Sequence, residues 1–186
     1  MLSTLLSEAP VWQTQRHPFA RTLSVEWQSW LFDRGSLTQR LIELSHGHFR
    51  VAVLREDWRA PMPWERDALN LPARHIALVR EVALLCNEKP LVYARSVLPA
   101  TTLIDENRHL KMLGTKPLGA ALFNSPSLKR EPIVVAAITH LKTTPYITKQ
   151  NPAYARCSVF YLANKPLLVS EIFLPEIITY TAPHDQ

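Results

Sequence analysis

The chain has 186 residues, 47% apolar, 20% charged and 9% aromatic. This is the composition of one globular domain with its own core and excludes a disordered chain. The formal charge of +5 favours anionic partners, yet no basic run or nucleic-acid signature accompanies it, so nucleic acid is not an expected partner.

Residues 1–22 carry little pattern and read as a loosely held lead-in to a single domain over 23–186. A helix is predicted over Ser24 to Leu31 with Ser24 as its cap. A second starts at Ser36, where Ser36 and Gln39 make a capping box, continues through Leu37, Leu41 and Leu44, and stops at Gly47. Phe49, Val51 and Val53 alternate as a half-buried strand. A Pro/Trp-rich loop and a short helical piece follow. The apolar run His75 to Cys86 then turns at Asn87–Pro90 and returns over Leu91 to Leu98 as a hairpin. Asp105 to Leu113 reads as a helix capped by Asp105 and ended by Gly114, and Pro117 to Phe123 as a short helix with proline first. Ile133 to Ile138 reads as a strand, with a buried helix as the alternative. Residues 139–154 form a long polar connection. Ser158 to Leu162 and Leu167 to Leu174 form a last hairpin.

Several function classes lack support. The N-terminus lacks the basic start and apolar core of a signal peptide. No stretch reaches the roughly 18–20 apolar residues of a bilayer span. The two cysteines, Cys86 and Cys157, have no metal-ligand spacing, which argues for a reducing, cytoplasmic setting. The four glycines form no nucleotide-binding loop.

The two hairpins share a repeat. Lys89-Pro-Leu-Val-Tyr-Ala-Arg-Ser-Val-Leu-Pro99 aligns without gaps with Lys165-Pro-Leu-Leu-Val-Ser-Glu-Ile-Phe-Leu-Pro175. Its charged position is Arg95 in one copy and Glu171 in the other, each alone on an apolar strand face. Arg80 shares a face with Leu78, Val82 and Leu84, and Glu81 points to the opposite, equally apolar face. Such charges cost several kcal/mol unless paired or hydrated. A buried ion pair explains any one of them. Several on neighbouring strands can instead line a cavity whose ligand completes the charge balance.

These segments resemble the chorismate pyruvate-lyase family of ubiquinone biosynthesis. The matching residues are Gly35 to Thr38, Leu78-Val-Arg-Glu-Val82 with Leu85-Cys86, Ala94 to Pro99, Leu113-Gly114, Pro117-Leu-Gly119, Leu122-Phe123 and Leu167 to Pro175. The resemblance spans roughly residues 23–176. It implies an α+β fold, a single antiparallel sheet of about six strands with helices and helix-turn-helix flaps over an internal ligand site. It implies a cytoplasmic carbon–oxygen lyase that converts chorismate to 4-hydroxybenzoate and pyruvate without metal or organic cofactor, as a monomer without an integral membrane segment. By resemblance, Arg80 holds the ring carboxylate and Glu171 the 4-hydroxyl. Arg95 is a second site arginine for the enolpyruvyl carboxylate. Leu37 and Leu118 offer backbone N–H groups to the ring carboxylate. Arg80, Glu171 and Arg95 are thus the catalytic candidates, and Leu37, Arg80, Leu118 and Glu171 the substrate-binding ones.

The residues agree about the two leucines, since each starts a short helix where N–H groups are unpaired. Near Arg156-Cys157-Ser158 relatives often carry two arginines in a row; Cys157 replaces the second, and the region receives no role. Cys157 has no base beside it and is a poor nucleophile candidate. The ring hydrogen lost during the reaction passes either to the enolpyruvyl methylene or to a base. The rival is a non-catalytic effector-binding domain of the same fold, which binds a small molecule without turnover. A structural or interaction domain is a third reading.

Overall fold

A computed structural model describes residues 9–141 and 147–182. The elements are β1 (Gln13–Thr14), α1 (Pro18–Thr22), α2 (Val25–Leu31), α3 (Leu37–Leu44), β2 (Phe49–Arg59), α4 (Pro63–Ala68), β3 (Ala77–Cys86) and β4 (Lys89–Pro99). After a 3-10 helix (Asp105–Met112) come α5 (Leu118–Phe123), β5 (Lys129–Arg130), β6 (Val134–Ile138), β7 (Ala153–Leu162), β8 (Lys165–Phe173) and α6 (Glu176–Thr179). All strands join one antiparallel sheet in the order β1-β6-β7-β8-β4-β3-β2, with β5 also on β7. Six strands are substantial and two are dipeptides, which is the expected α+β architecture. No described helix is long and apolar enough to cross a membrane.

The repeat is a structural one. Both hairpins close on two residues of positive φ, Asn87 (47°) with Glu88 (63°) and Ala163 (48°) with Asn164 (62°). Turns of that kind match the right-handed twist of the flanking strands. The returning strands β4 and β8 pair with each other and form the middle of the sheet.

Each face of the sheet carries two apolar clusters with polar residues between them. On one face, Val82, Leu84, Val92 and Phe173 pack with Trp30, Leu31 and Leu41 of α2 and α3. Leu78, Leu98, Phe160 and Val169 pack with Leu110, Leu118 and Leu122. The other face has Ala83, Tyr93, Ala155 and Ile172 at one end and Val79, Val97, Val159 and Leu168 at the other.

Several elements differ from expectation. Of the lead-in, residues 9–22 contain β1, which pairs with β6, and α1, with Ala20 buried and the Trp12 ring tilted against Trp64 at 5.4 Å between centroids; residues 1–8 lie outside those described. Strand β2 runs on to Arg59 because a bulge at Leu54 lets it follow β3 to its start. Asp105 has φ 52° and its carboxylate meets Lys165 at 2.8 Å, so it does not cap, and the segment is 3-10. Pro117 is the cap of α5, one residue before its predicted place. Ser36 accepts from the Gln39 N–H at 3.3 Å, while the Gln39 side chain donates to Glu43 at 3.0 Å instead of closing the box. Strand β7 starts five residues earlier than expected, at Ala153. Of the 139–154 connection, residues 142–146 lie outside those described.

Candidate active site

The register of the sheet builds the site. Arg80 stands opposite Ser96, Ser96 opposite Val169, and Val169 opposite Ser158. Two residues along, Val82 faces Ala94, Ala94 faces Glu171, and Glu171 faces Arg156. Directly opposed residues share a face, so these rows lie side by side across β3, β4, β8 and β7. They form the floor of a cavity roofed by Leu37 and Thr38 of α3 and by Leu118, Gly119, Leu122 and Phe123 of α5. The cavity volume is about 50 Å³, room for about four waters at ~10–15 Å³ each. That is less than the roughly 150 Å³ of a cavity that holds benzene, so an aromatic ligand needs the roof to move outward.

The roof depends on a glycine. A Cβ on Gly119 would lie 2.8 Å from Thr38 Oγ1, so α3 and α5 meet over the cavity only because that side chain is absent. As the first residues of their helices, Leu37 and Leu118 have N–H groups without helical partners. Pro117 supplies no side-chain cap to α5.

The cavity's charges are ordered. The Leu54 bulge shifts the parity of β2 and puts Glu56 opposite Arg80. Arg80 donates to Glu56 at 2.5 Å and to the carbonyls of Gly114 and Lys116 at 2.7 and 3.2 Å, tying the cavity floor to the loop before α5. Arg156 donates to Glu171 at 2.5 Å and to the carbonyls of Trp30 and Asp33 at 3.1 and 2.8 Å. Arg130 reaches in from β5, donating to Ser158 Oγ at 3.0 Å and to the Asp33 carbonyl at 3.3 Å, with its guanidinium 4.9 Å from the Phe160 ring centre. Burial first, and then the charge of Arg156, push Arg130 down to about 10; it is still a cation at neutral pH.

Of the residues singled out from sequence, Arg80, Glu171, Leu37 and Leu118 come together around this cavity. Arg95 does not. It pairs with Glu81 on β3 and Ser170 on β8, so it faces the opposite side of the sheet. There it donates to Glu65 at 2.6 and 2.9 Å and to Glu81 at 2.7 Å, with all three side chains at most 3% exposed. Although burial pulls it down, Glu65 and Glu81 hold Arg95 above its ordinary range. The repeat misleads because Glu171 pairs with Ala94, one residue short of Arg95. An offset of one residue reverses the face.

Sequence reasoning missed Glu56, Arg130 and Arg156. For Arg156 the signal existed: Tyr154, Arg156, Ser158 and Phe160 alternate as one strand face. Glu56 depends on the bulge and Arg130 on a two-residue strand, and neither leaves a periodic trace. Burial pushes the Cys157 thiol up to about 12, which keeps it protonated and unreactive.

The fold and site define a class: a single antiparallel sheet whose arginine-lined cavity is roofed by two short helices. Similar sheets occur in the effector domain of PhnF from Mycobacterium smegmatis (14% identity, 82% of this chain and 96% of that one, TM-score 0.57). Another is the C-terminal domain of the histidine utilization repressor from Pseudomonas syringae (14%, 74% and 99%, TM-score 0.56). At such identities the likeness is one of fold. The chorismate lyase family pattern matches residues 6–182, and the chain belongs to that family. Among its relatives is the probable chorismate pyruvate-lyase of Methylococcus capsulatus, 40% identical, covering 82% of this chain and 96% of that protein. That of Psychromonas ingrahamii is 37% identical, covering 92% and 94%.

Proposed function

We propose that the chain is a chorismate pyruvate-lyase, which releases pyruvate from chorismate and leaves 4-hydroxybenzoate. The observation that carries this is a small cavity with Arg80 in one floor row and Glu171 in the next, in a chain whose relatives are named for that reaction.

Arg80 and the N–H groups of Leu37 and Leu118 hold the ring carboxylate. Glu171, kept in place by Arg156, accepts a hydrogen bond from the 4-hydroxyl and orients the ring. The carbon–oxygen bond to the enolpyruvyl group breaks with its electron pair on the departing oxygen. The hydrogen on the hydroxyl-bearing ring carbon leaves, and the methylene of the departing group gains one. Atoms and electrons balance without an oxidant, and aromatisation drives the step. The chain contributes orientation and fixed charges in a site closed to water.

The test is to mix the purified chain with chorismate and separate the products by chromatography. Equimolar 4-hydroxybenzoate and pyruvate above background, lost in both Arg80→Ala and Glu171→Gln, is the expected result. Tight binding of either aromatic ligand without turnover would move the chain to the effector-binding class. A folded chain that neither binds nor converts chorismate would sink both readings.

A further inference from the structure

Three arginines line the cavity, and two of them have a carboxylate. Arg80 is bonded to Glu56 and Arg156 to Glu171. Arg130 has a hydroxyl, a carbonyl and the face of a ring; among the described residues no carboxylate forms an ion pair with it. Arg130 is half-buried, and Glu171 and Asp33 act on it through space too weakly to offset burial and the charge of Arg156; a guanidinium so placed without a direct ion pair costs stability. A ligand carboxylate in direct contact with Arg130 would offset that cost.

Position says which part of the ligand brings it. Arg130 Nε holds Ser158, the last member of the row that begins at Arg80. The two arginines thus stand at opposite ends of the cavity floor, with β4, β8 and β7 between them. Glu171 lies in the neighbouring row between the ends. A ring with its carboxylate at Arg80 and its hydroxyl at Glu171 carries the enolpyruvyl arm on the carbon next to that hydroxyl, toward β7.

We propose that Arg130 binds the second carboxylate of the substrate, the one on the enolpyruvyl arm. This rests on the lyase reading above and replaces Arg95 in that role. Arg95 is fixed by two glutamates on the far face of the sheet. Arg156 donates its Nε to Glu171, the carboxylate read as the partner of the 4-hydroxyl, and so positions that group. It follows that Arg130 distinguishes substrate from aromatic product, because 4-hydroxybenzoate lacks the arm.

The experiment compares chorismate and 4-hydroxybenzoate on the same variants. In Arg130→Met, kcat/KM for chorismate is expected to fall by about a hundredfold, while the 4-hydroxybenzoate Kd from calorimetry changes less than about threefold. Arg130→Lys, which keeps the charge without the fork, recovers about a tenth or more of the activity. The proposal is overturned if kcat/KM in Arg130→Met stays within about threefold of the parent. It is equally overturned if the affinity for 4-hydroxybenzoate falls in parallel, because Arg130 then shapes the cavity for any ligand. Should Arg130→Met fail to fold, Arg130→Gln is read by the same two ratios. If the parent chain binds chorismate without turnover, the lyase reading fails by itself. The Kd values of chorismate and 4-hydroxybenzoate then decide on Arg130, by whether the variant loses the first and keeps the second.

Discussion

Arg80 and Arg95 occupy neighbouring strands and face opposite ways, and that difference sets their roles. Arg80 opens on the cavity; Arg95 is locked between Glu65 and Glu81. Replacing Arg95 by methionine keeps bulk and takes from buried Glu65 its arginine, while Glu81 keeps Arg59 at 3.4 Å, a loss of about 3–5 kcal/mol. The expected outcome is a Tm about 10 °C lower by calorimetry, with 4-hydroxybenzoate affinity of the folded protein within about threefold of the parent. A large loss of affinity at unchanged Tm would return Arg95 to the site. Cys157 gives a second residue-scale test. Its thiol, pushed up to about 12 by burial, keeps its proton in the folded state after the unfolded chain has lost it, near pH 9. The stability it contributes is complete below that pH and declines as pH rises toward 12. From pH 9 to pH 10 the parent should lose about 1 kcal/mol more than Cys157→Ala. Melting curves of the two proteins across that range check it, and parallel pH dependences would contradict it. The faces of Arg80 and Glu171 were legible from strand alternation, because a period of two is a local property. Arg95 was not, because its face relative to Glu171 depends on the pairing of β4 with β8, which is set by contacts remote in sequence.

At the scale of elements, the hairpins were legible and the bulge was not. Each hairpin shows a polar turn between apolar runs, whereas the Leu54 bulge that aims Glu56 at Arg80 is seen only in the register. The second turn carries an uncommon cost. Ala163 sits at φ 48°, where a Cβ is disfavoured by roughly 1–2 kcal/mol, while the first turn uses Asn87 at the equivalent place. Installing the favoured pair with Ala163→Asn and Asn164→Gly should stabilise the chain by about 1 kcal/mol. That is a Tm rise of about 2–4 °C for a domain of this size. Activity should be unchanged, because neither residue lines the cavity. A lower Tm would mean that the Asn164 contact with Lys129, at 3.2 Å, matters more than the turn geometry.

At the scale of the whole molecule, the sheet is a fixed floor and the two short helices are the parts that can move. On the lyase reading, a cavity of about 50 Å³ under α3 and α5 takes the ring only when the roof moves outward, so each turnover moves it at entry and at release. On the roles proposed for Arg80 and Glu171, the product keeps both the ring carboxylate and the hydroxyl they hold, so it leaves no more easily than substrate enters. Release, limited by helix opening, is then the slow step. Rapid mixing of the protein with a several-fold excess of chorismate should give a burst of about one 4-hydroxybenzoate per chain, followed by a slower steady rate. Gly119→Ala tests the cause. Its Cβ meets Thr38 Oγ1 on a stiff, buried side chain, so the helices must shift apart. The N–H of Leu118, the residue before Gly119, shifts with α5. The variant should show a smaller burst, a 4-hydroxybenzoate Kd about tenfold weaker and a steady rate equal to or above the parent's. If its steady rate drops together with its burst while the Kd stays fixed, chemistry limits turnover, and the closed roof serves to align the substrate and exclude water.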